Sequence, residues 1–499
     1  MRGSIFCRGR RCHTFAREAM SGQGPDEILR RAVACHRKTG PPMKIPAIKK
    51  WRAIRDIPRL ARQPVTVFSG YHRELGDNFH FSVSKLRRTH MTTDADVVQH
   101  VLQRNHRNYE KSEIQADQMA LYLGRGLLTN NGSSWLRQRR LIQPGFHRQR
   151  LAALVKEMNA VIQQRCDFLD GKLAREEPVD LYSFTQQAAF QIISRAIFTD
   201  SFDEAETQRL NQLMDDIQGY MIYPIRMPFL RKPLRWLGQE RKHLALSQQV
   251  RDQLLEIINQ RRESGTVKDD LLQMLIESRY EDDGSPMTDE QLIDEIIILF
   301  AAGYETSANA LSWIFYLLTQ HPEVLDKVRQ EIETVKRKGP IDFDSVRELK
   351  YLTQVIEESM RLYPPAWITD RVALADDAVK DMKIEQGTVV GIFIYGVHHS
   401  ERYYESPEEF RPDRMSPEAK KDRHPFAFLP FGGGPRLCIG NHFAMLEMQL
   451  LLSSVLDRYD FTLVSGQEQP GLRPIITLHM DRRVRIRINH RLKSQSVDA

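Results

Sequence analysis

The sequence predicts a mainly α fold with a minor β region, one large domain built on a long central helix and a glycine-rich loop that carries a cysteine. Three observations predict it. From Thr288 to Gln320 the chain has no proline and is apolar nearly all round between Ile296 and Phe300, the mark of a helix buried inside its domain; at about 1.5 Å per residue it would be about 48 Å long. Residues 150–285 are leucine- and charge-rich with a helical period. Strand-like runs are few and short: Asn78–Val83, Val389–Ile394 and Arg483–Ile488.

Composition bounds the class. The 499 residues are 41% hydrophobic and 27% charged, which is ordinary for a globular chain. Lysine plus arginine exceeds aspartate plus glutamate by 72 − 65 = 7, so the surface is mildly basic and suits an acidic partner; no nucleic acid is expected. Five cysteines, three of them within the first 35 residues, make no disulfide framework and fit a reducing compartment. No run reaches the roughly 18 apolar residues that span a bilayer, so a soluble, cytoplasmic protein without a transmembrane anchor is expected. Residues 1–19 hold five arginines against one glutamate, and a mitochondrial transit peptide is the alternative reading. Residues 1–42 are therefore set apart as a basic, disordered extension, and one catalytic domain is expected over 43–499.

In chain order, Lys44–Pro64 is a basic connector or short helix, and Thr93–Gln103 reads helical with Asp94 and Asp96 near its start. In Asn130–Ile142, Ser133 or Ser134 can cap a helix on which Trp135 and Arg139 fall at i and i+4, a stacked indole and guanidinium suited to a carboxylate. Arg137 and Arg140 face outward. Leu151–Phe168, Leu181–Phe198 and Leu210–Ile217 read as helices; Tyr220–Trp236, with three prolines and several aromatics, interrupts them.

In the central helix Thr288 and Gln291 form a capping box, and His321-Pro322 ends it. Leu299, Gly303, Thr306 and Ala310 share a small-residue face. Thr306 can turn its hydroxyl to a backbone carbonyl, and the acid Glu305 beside it makes the pair that proton delivery needs. Glu358 and Arg361 lie one turn apart and can pair, with Arg414 as a third charge that locks them. Pro364 and Pro365 then stop that helix. Phe300, Ala302, Trp367 and Ile368 are the expected lining of a pocket.

The last element is Phe431-Gly-Gly-Gly-Pro-Arg-Leu-Cys-Ile-Gly440. Its glycines permit conformations that side chains forbid and let several amides crowd one sulfur, which stabilises a thiolate and tunes what it ligates. Phe431 can cover a flat cofactor, and Arg436 can reach an anionic group at its edge.

Phe431, Gly434, Arg436, Cys438 and Gly440 resemble the haem-binding signature of the cytochrome P-450 superfamily, and Ala302-Gly-Tyr-Glu-Thr-Ser307 resembles its oxygen-activation motif. The resemblance spans roughly Trp135 to Gly440 and is similar to soluble bacterial members. It implies the cytochrome P-450 fold, haem b between the Thr306 helix and the Cys438 loop, Cys438 as axial iron ligand, and Trp135, Arg139, Arg371 and Arg436 on the propionates. It gives Glu305 and Thr306 a proton-relay role, and makes Glu358, Arg361 and Arg414 a structural network. The implied activity is monooxygenation of a lipophilic substrate, a fatty acid, terpenoid or steroid, by O2 and two electrons. Only 499 − 438 = 61 residues follow Cys438, too few for a fused flavin reductase. Electrons are therefore expected from a separate ferredoxin or flavodoxin with its reductase, docking on a basic surface around Arg137, Arg140 and Arg436. The alternatives are a haem-thiolate peroxygenase or isomerase, and a haem-based sensor.

Overall fold

The organising element is the helix Asp289–Gln320. Thr288 caps it, its hydroxyl accepting from Gln291 N at 3.2 Å, and His321-Pro322 stops it as expected. Only half of the capping box forms. The Gln291 side chain turns to Arg125 O and Glu295 Oε1 instead of back to the cap, because the turn 124–127 packs against this first stretch of the helix and needs its hydrogen bonds met.

In the computed structural model the described residues are 45–82, 89–199, 204–380 and 382–492; the extension read over 1–42 lies outside them. Around the central helix pack Arg148–Ala174, Leu181–Phe198, Glu204–Arg226, Gln239–Ser264, Lys350–Leu362 and Asn441–Arg458. The tightest of these contacts is with Leu181–Phe198. There Phe190 meets Phe300 edge-on at 4.7 Å between ring centroids, and Gly303 has no Cβ where Ile193 comes within 3.0 Å. Each such buried aromatic contributes roughly 1.5–3 kcal/mol. No helix among the described residues is long and apolar enough to cross a membrane.

The β region is small. Five strands pair in the order Asn78–Phe81, Thr89–Thr92, Val389–Ile392, Thr369–Ala373, Tyr109–Glu110, and only Thr89–Thr92 with Val389–Ile392 is parallel. The hairpin Leu472–Pro474 and Leu478–Met480 reaches over to the central helix, where Trp313 Nε1 donates to Leu478 O at 3.4 Å.

Two local expectations fail for tertiary reasons. The helix Gly132–Ile142 begins before Ser133 and Ser134, with Asn131 at its N-cap. Asn131 does not cap with its side chain, which pairs with the Lys111 backbone at 3.0 and 3.1 Å. Tyr220 does not begin a break: Glu204–Arg226 continues through Pro224, and Tyr220 is buried, stacked on His243 at 3.9 Å. The interruption starts after Arg226, where Phe229 and Trp236 are exposed.

Candidate functional site

The cysteine loop is shaped by one glycine above all. Gly434 has φ +68°, and a Cβ there would lie 1.8 Å from the Leu102 carbonyl oxygen. A side chain is excluded twice, by conformation and by contact. The turn Gly434–Arg436 follows, with Leu437 N donating to Gly434 O and Cys438 N to Phe431 O, both at 3.0 Å. Gly432, φ +75°, has open space around it. Gly434→Ala is therefore expected to cost clearly more stability in denaturant unfolding than Gly432→Ala, whose cost is the left-handed conformation alone, about 1–2 kcal/mol.

This loop leaves Cys438 accessible although protein surrounds it on most sides. That burial pushes the thiol up, while the Gly440 N–H and Arg139 pull it down. Facing outward in the same way on the central helix, Ala302 is exposed and Thr306 half-buried among neighbours that are nearly all buried. The helix Asn441–Arg458, which begins just after Cys438, is tied to the central helix next to Thr306: Ser307 Oγ donates to Glu447 Oε2 at 2.7 Å. Burial pushes the Glu447 carboxyl up to about 8, against the Ser307 hydrogen bond that lowers it. Cys438 and the Ala302–Thr306 face, both left accessible on elements tied together here, are taken as the two walls of the candidate cleft. Thr306 Oγ1 donates to Ala302 O at 2.7 Å, the backbone diversion expected of it.

Three cations converge at the cleft's edge. Arg436 donates to Asn130 O at 3.1 Å and Asn131 Oδ1 at 3.3 Å and lies 4.1 Å over the Trp135 ring. Arg371 donates to Asp370 O and Thr369 Oγ1. Lys111 donates to the carbonyls of Leu127 and Leu128 at 2.7 and 2.6 Å. All six of these partners are neutral oxygens. Burial lowers Lys111, Arg371 and Arg436, the last to about 10, and the positive charges of Arg371 and Arg436 add to the effect on Lys111. Buried positive charge of this kind calls for an anion. An accessible thiol in an amide-lined loop, a small-residue face opposite it and a cationic edge together fit a flat, dianionic, metal-centred ligand such as haem.

The structure distributes the remaining expected residues unevenly. Trp135 and Arg139 do not form the stacked clamp. Arg436 takes the place over the indole, and Arg139 turns to Leu437 O at 3.0 Å and Gln143 at 3.3 Å. Phe431 is half-buried in the cysteine loop. Phe300 is a correction: it lies about 200° round the helix from Ala302 and is buried among Phe190, Phe198 and Tyr304, away from the cleft. Trp367 is also buried, its indole N–H donating to Ile475 O at 3.2 Å; Ile368 is half-buried. Gly303 serves the Ile193 contact rather than the cleft. Glu305 points to the hairpin, where its Oε1 accepts from Thr477 at 2.5 Å and meets His479 Nε2 at 2.7 Å.

Glu358 and Arg361 form a fully buried pair at 2.7 and 2.8 Å. Arg414 Nε lies 3.0 Å from Glu358, an ion contact without hydrogen-bond alignment. Behind them is a residue the sequence reading missed. His398 is fully buried, in contact with Arg361 O through Nδ1 at 3.2 Å, and accepts from Leu429 N at 2.8 Å through Nε2, so the pair is linked to the chain two residues before Phe431. Lys111 was missed as well. Neither carries a local pattern, since the partners of each are distant in sequence.

The basic docking surface is the other correction. Arg137 is neutralised by Asp282 at 3.0 Å and Asp283 at 2.5 Å and packs over Tyr280; Arg140 lies 3.9 Å from Glu281; Arg436 is held in the cleft. A loop far along the chain cancels this patch. Near Cys438 there is instead a groove of about 590 Å³ lined by Arg139, Arg148, Leu437, Cys438 and His442 among others.

The chain is similar to known proteins over most of its length. The family model Cytochrome P450 matches residues 41–479. Pentalenene oxygenase of Streptomyces avermitilis is 31% identical over 399 residues, covering 78% of this chain and 86% of its own. Cyclooctat-9-en-7-ol 5-monooxygenase of Streptomyces melanosporofaciens is 28% identical over 380 residues, 76% and 81% of the two chains. The crystal structure of the cytochrome P450DA heme domain superposes with a TM-score of 0.80 at 22% identity, covering 90% of this chain and 98% of that one. The chain belongs to the cytochrome P450 family: it is a haem-iron monooxygenase that takes O2, an organic substrate and electrons from a redox partner.

Proposed function

We propose that this single catalytic domain, from about residue 43 onward, holds haem b by Cys438 and hydroxylates a lipophilic substrate of the fatty acid, terpenoid or steroid class. The observation that carries the reading is the accessible Cys438 thiol in its glycine-rich loop, together with the small, accessible Ala302–Thr306 stretch of the central helix beside which the following helix is tied. Bound haem supplies oxygen binding and reductive O–O cleavage, which an axial thiolate favours. The chain's own residues do the rest. Gly440 N–H and Arg139 stabilise the sulfur's charge. Lys111, Arg371 and Arg436, with Trp135, receive the propionates. Phe431 covers the sulfur side.

On the other side Thr306 holds a hydroxyl that can release Ala302 O and donate into the cleft, and Glu305 replenishes its proton. Ala302 and Ile368 leave room for an apolar substrate. That both Streptomyces relatives are named for terpenoid-type substrates supports a terpenoid or similar hydrocarbon. The electron donor is a separate ferredoxin- or flavodoxin-type protein with its reductase, its acidic face meeting Arg139 in the groove beside Cys438, where Arg148 is already paired with Asp344 at 2.7 Å.

Two measurements test this. Titration with a lipid and terpenoid panel, read by the shift of the haem absorption, identifies the substrate class. Thr306→Ala is expected to keep substrate affinity while product per electron pair falls on the order of a hundredfold, the lower end of what general acid catalysis contributes. If the alanine variant keeps full coupled turnover, the proton role of Thr306 is lost and a peroxygenase reading gains.

A further inference from the structure

The carboxylate of Glu305 is surrounded on all sides by identifiable groups. From the hairpin come Thr477 Oγ1 at 2.5 Å and His479 Nε2 at 2.7 Å. On its own helix Asn309 Nδ2 bridges Glu305 O at 2.9 Å and Thr477 Oγ1 at 3.1 Å. From Leu181–Phe198, Tyr182 packs on the His479 ring at 5.2 Å, and Arg473 of the hairpin adds positive charge near Tyr182. From Glu204–Arg226 comes Asp215, which accepts from Tyr304 at 2.7 Å and Gln186 at 2.8 Å. Thr306 is not among Glu305's partners, since its hydroxyl is on Ala302 O.

Most of this shell cannot store a proton. Burial pushes the Tyr182 and Tyr304 phenols well up. Threonine and asparagine do not titrate, and Asp215 lies behind Tyr304. The histidine can, because an imidazole nitrogen both binds and releases a proton. It is also the more open of the pair, with 13% of its side chain exposed against 8% for Glu305. A carboxylate only accepts, so the ring nitrogen 2.7 Å away carries the hydrogen.

We propose that His479 is the positioning residue that stores and hands on the proton used by Glu305; this rests on the reading of Glu305 and Thr306 as the proton-delivering pair. In the resting arrangement an imidazolium faces the carboxylate. The Nε2 proton moves to Glu305 Oε1, leaving a neutral ring and a neutral acid. The acid then leaves Thr477 and His479, turns toward Thr306 and gives up its proton there. While it is away, the exposed ring takes a new proton from solvent at Nε2, and the returning carboxylate restores the pair. One proton enters from water and one is delivered, and no electrons move.

The test uses the full-length haem-loaded enzyme, its redox partners and dodecanoic acid as probe substrate. His479→Gln keeps a donor for Glu305 but cannot relay a proton, His479→Ala removes both functions, and Thr477→Val removes the hydroxyl's contacts with Glu305, His479 and Asn309 while leaving the His479–Glu305 contact in place. All three should keep the red-shifted band of the reduced carbon-monoxide complex. Both His479 variants should lose about tenfold in product per electron pair, with peroxide released in its place and a larger solvent isotope effect, while KM stays unchanged. Thr477→Val, which keeps the His479–Glu305 contact, should lose clearly less than either His479 variant. A fourth measurement needs no substrate: the 15N resonance of His479 Nε2 should move in Glu305→Gln. Full coupling in His479→Gln, equal damage from Thr477→Val, or an unmoved 15N resonance each overturns the role of His479. Full coupling in Thr306→Ala would instead overturn the underlying pair, so the two failures are distinguishable.

Discussion

Cys438→Ala is expected to lack the red-shifted thiolate band of the reduced carbon-monoxide complex and to lose monooxygenase turnover by at least about a thousandfold, some 4 kcal/mol of barrier. The sulfur is the one soft ligand the loop presents. Everything nearby serves it: Gly434 clears the Leu102 carbonyl so that the chain can turn, and Cys438 N is fixed on Phe431 O. No other described thiol can take over. The only other described cysteine, Cys166, is fully buried beneath Tyr459, which donates to its carbonyl at 3.0 Å. Alanine leaves the loop's backbone unchanged and removes only the ligand. Absorption spectra of the reduced protein with and without carbon monoxide decide the matter. A variant that keeps the band has its iron bound to something else, and the assignment of Cys438 then fails.

The features legible in the sequence were those whose cause is local. The central helix was readable end to end because Thr288 and Pro322 act on their own neighbours, and the loop because its glycines cluster round one cysteine. Glu358 and Arg361 were readable because a helix brings i and i+3 together. What could not be read depends on partners from elsewhere in the chain. Glu305 looked free to serve Thr306; the hairpin residues that hold it lie more than 170 positions away. Arg137 looked like an exposed charge until a loop 145 residues on supplied Asp282. Pro224 looked like a helix end. Beyond it, Arg226 is anchored on Ala61 O, Pro474 O and Ile475 O, and these tertiary bonds carry the last turn past a missing backbone donor. Phe300 and Ala302 were grouped by proximity in sequence, but the helix turns them to opposite sides, one into aromatic packing and one into the cleft.

Arg361→Ala carries the largest expected cost in stability, about 3–5 kcal/mol, the range for stripping one partner from a buried ion pair. The arginine is fully buried and every arm is engaged. Nε and Nη2 hold Glu358, Nη1 donates to His398 O at 2.9 Å and Pro407 O at 2.7 Å, and Nη2 reaches Glu409 O at 3.1 Å. Alanine would take the arginine donor from the His398 and Pro407 carbonyls, leave Glu409 O with Arg414 alone, and leave the Glu358 carboxylate with the Arg411 amide at 3.1 Å and an ill-aligned Arg414. Domains are stable by only about 5–15 kcal/mol, so such a loss is a large part of the total. Lysine should not rescue it, because one ammonium cannot replace a planar five-donor fork spread over three segments. The damage should reach the cysteine loop too, since the same site fixes His398, and His398 fixes Leu429 just before Phe431. Denaturant unfolding and haem retention, measured together on Arg361→Ala and Arg361→Lys, read both effects. A loss under about 1 kcal/mol, the worth of a surface pair, would mean that the network does not support the loop.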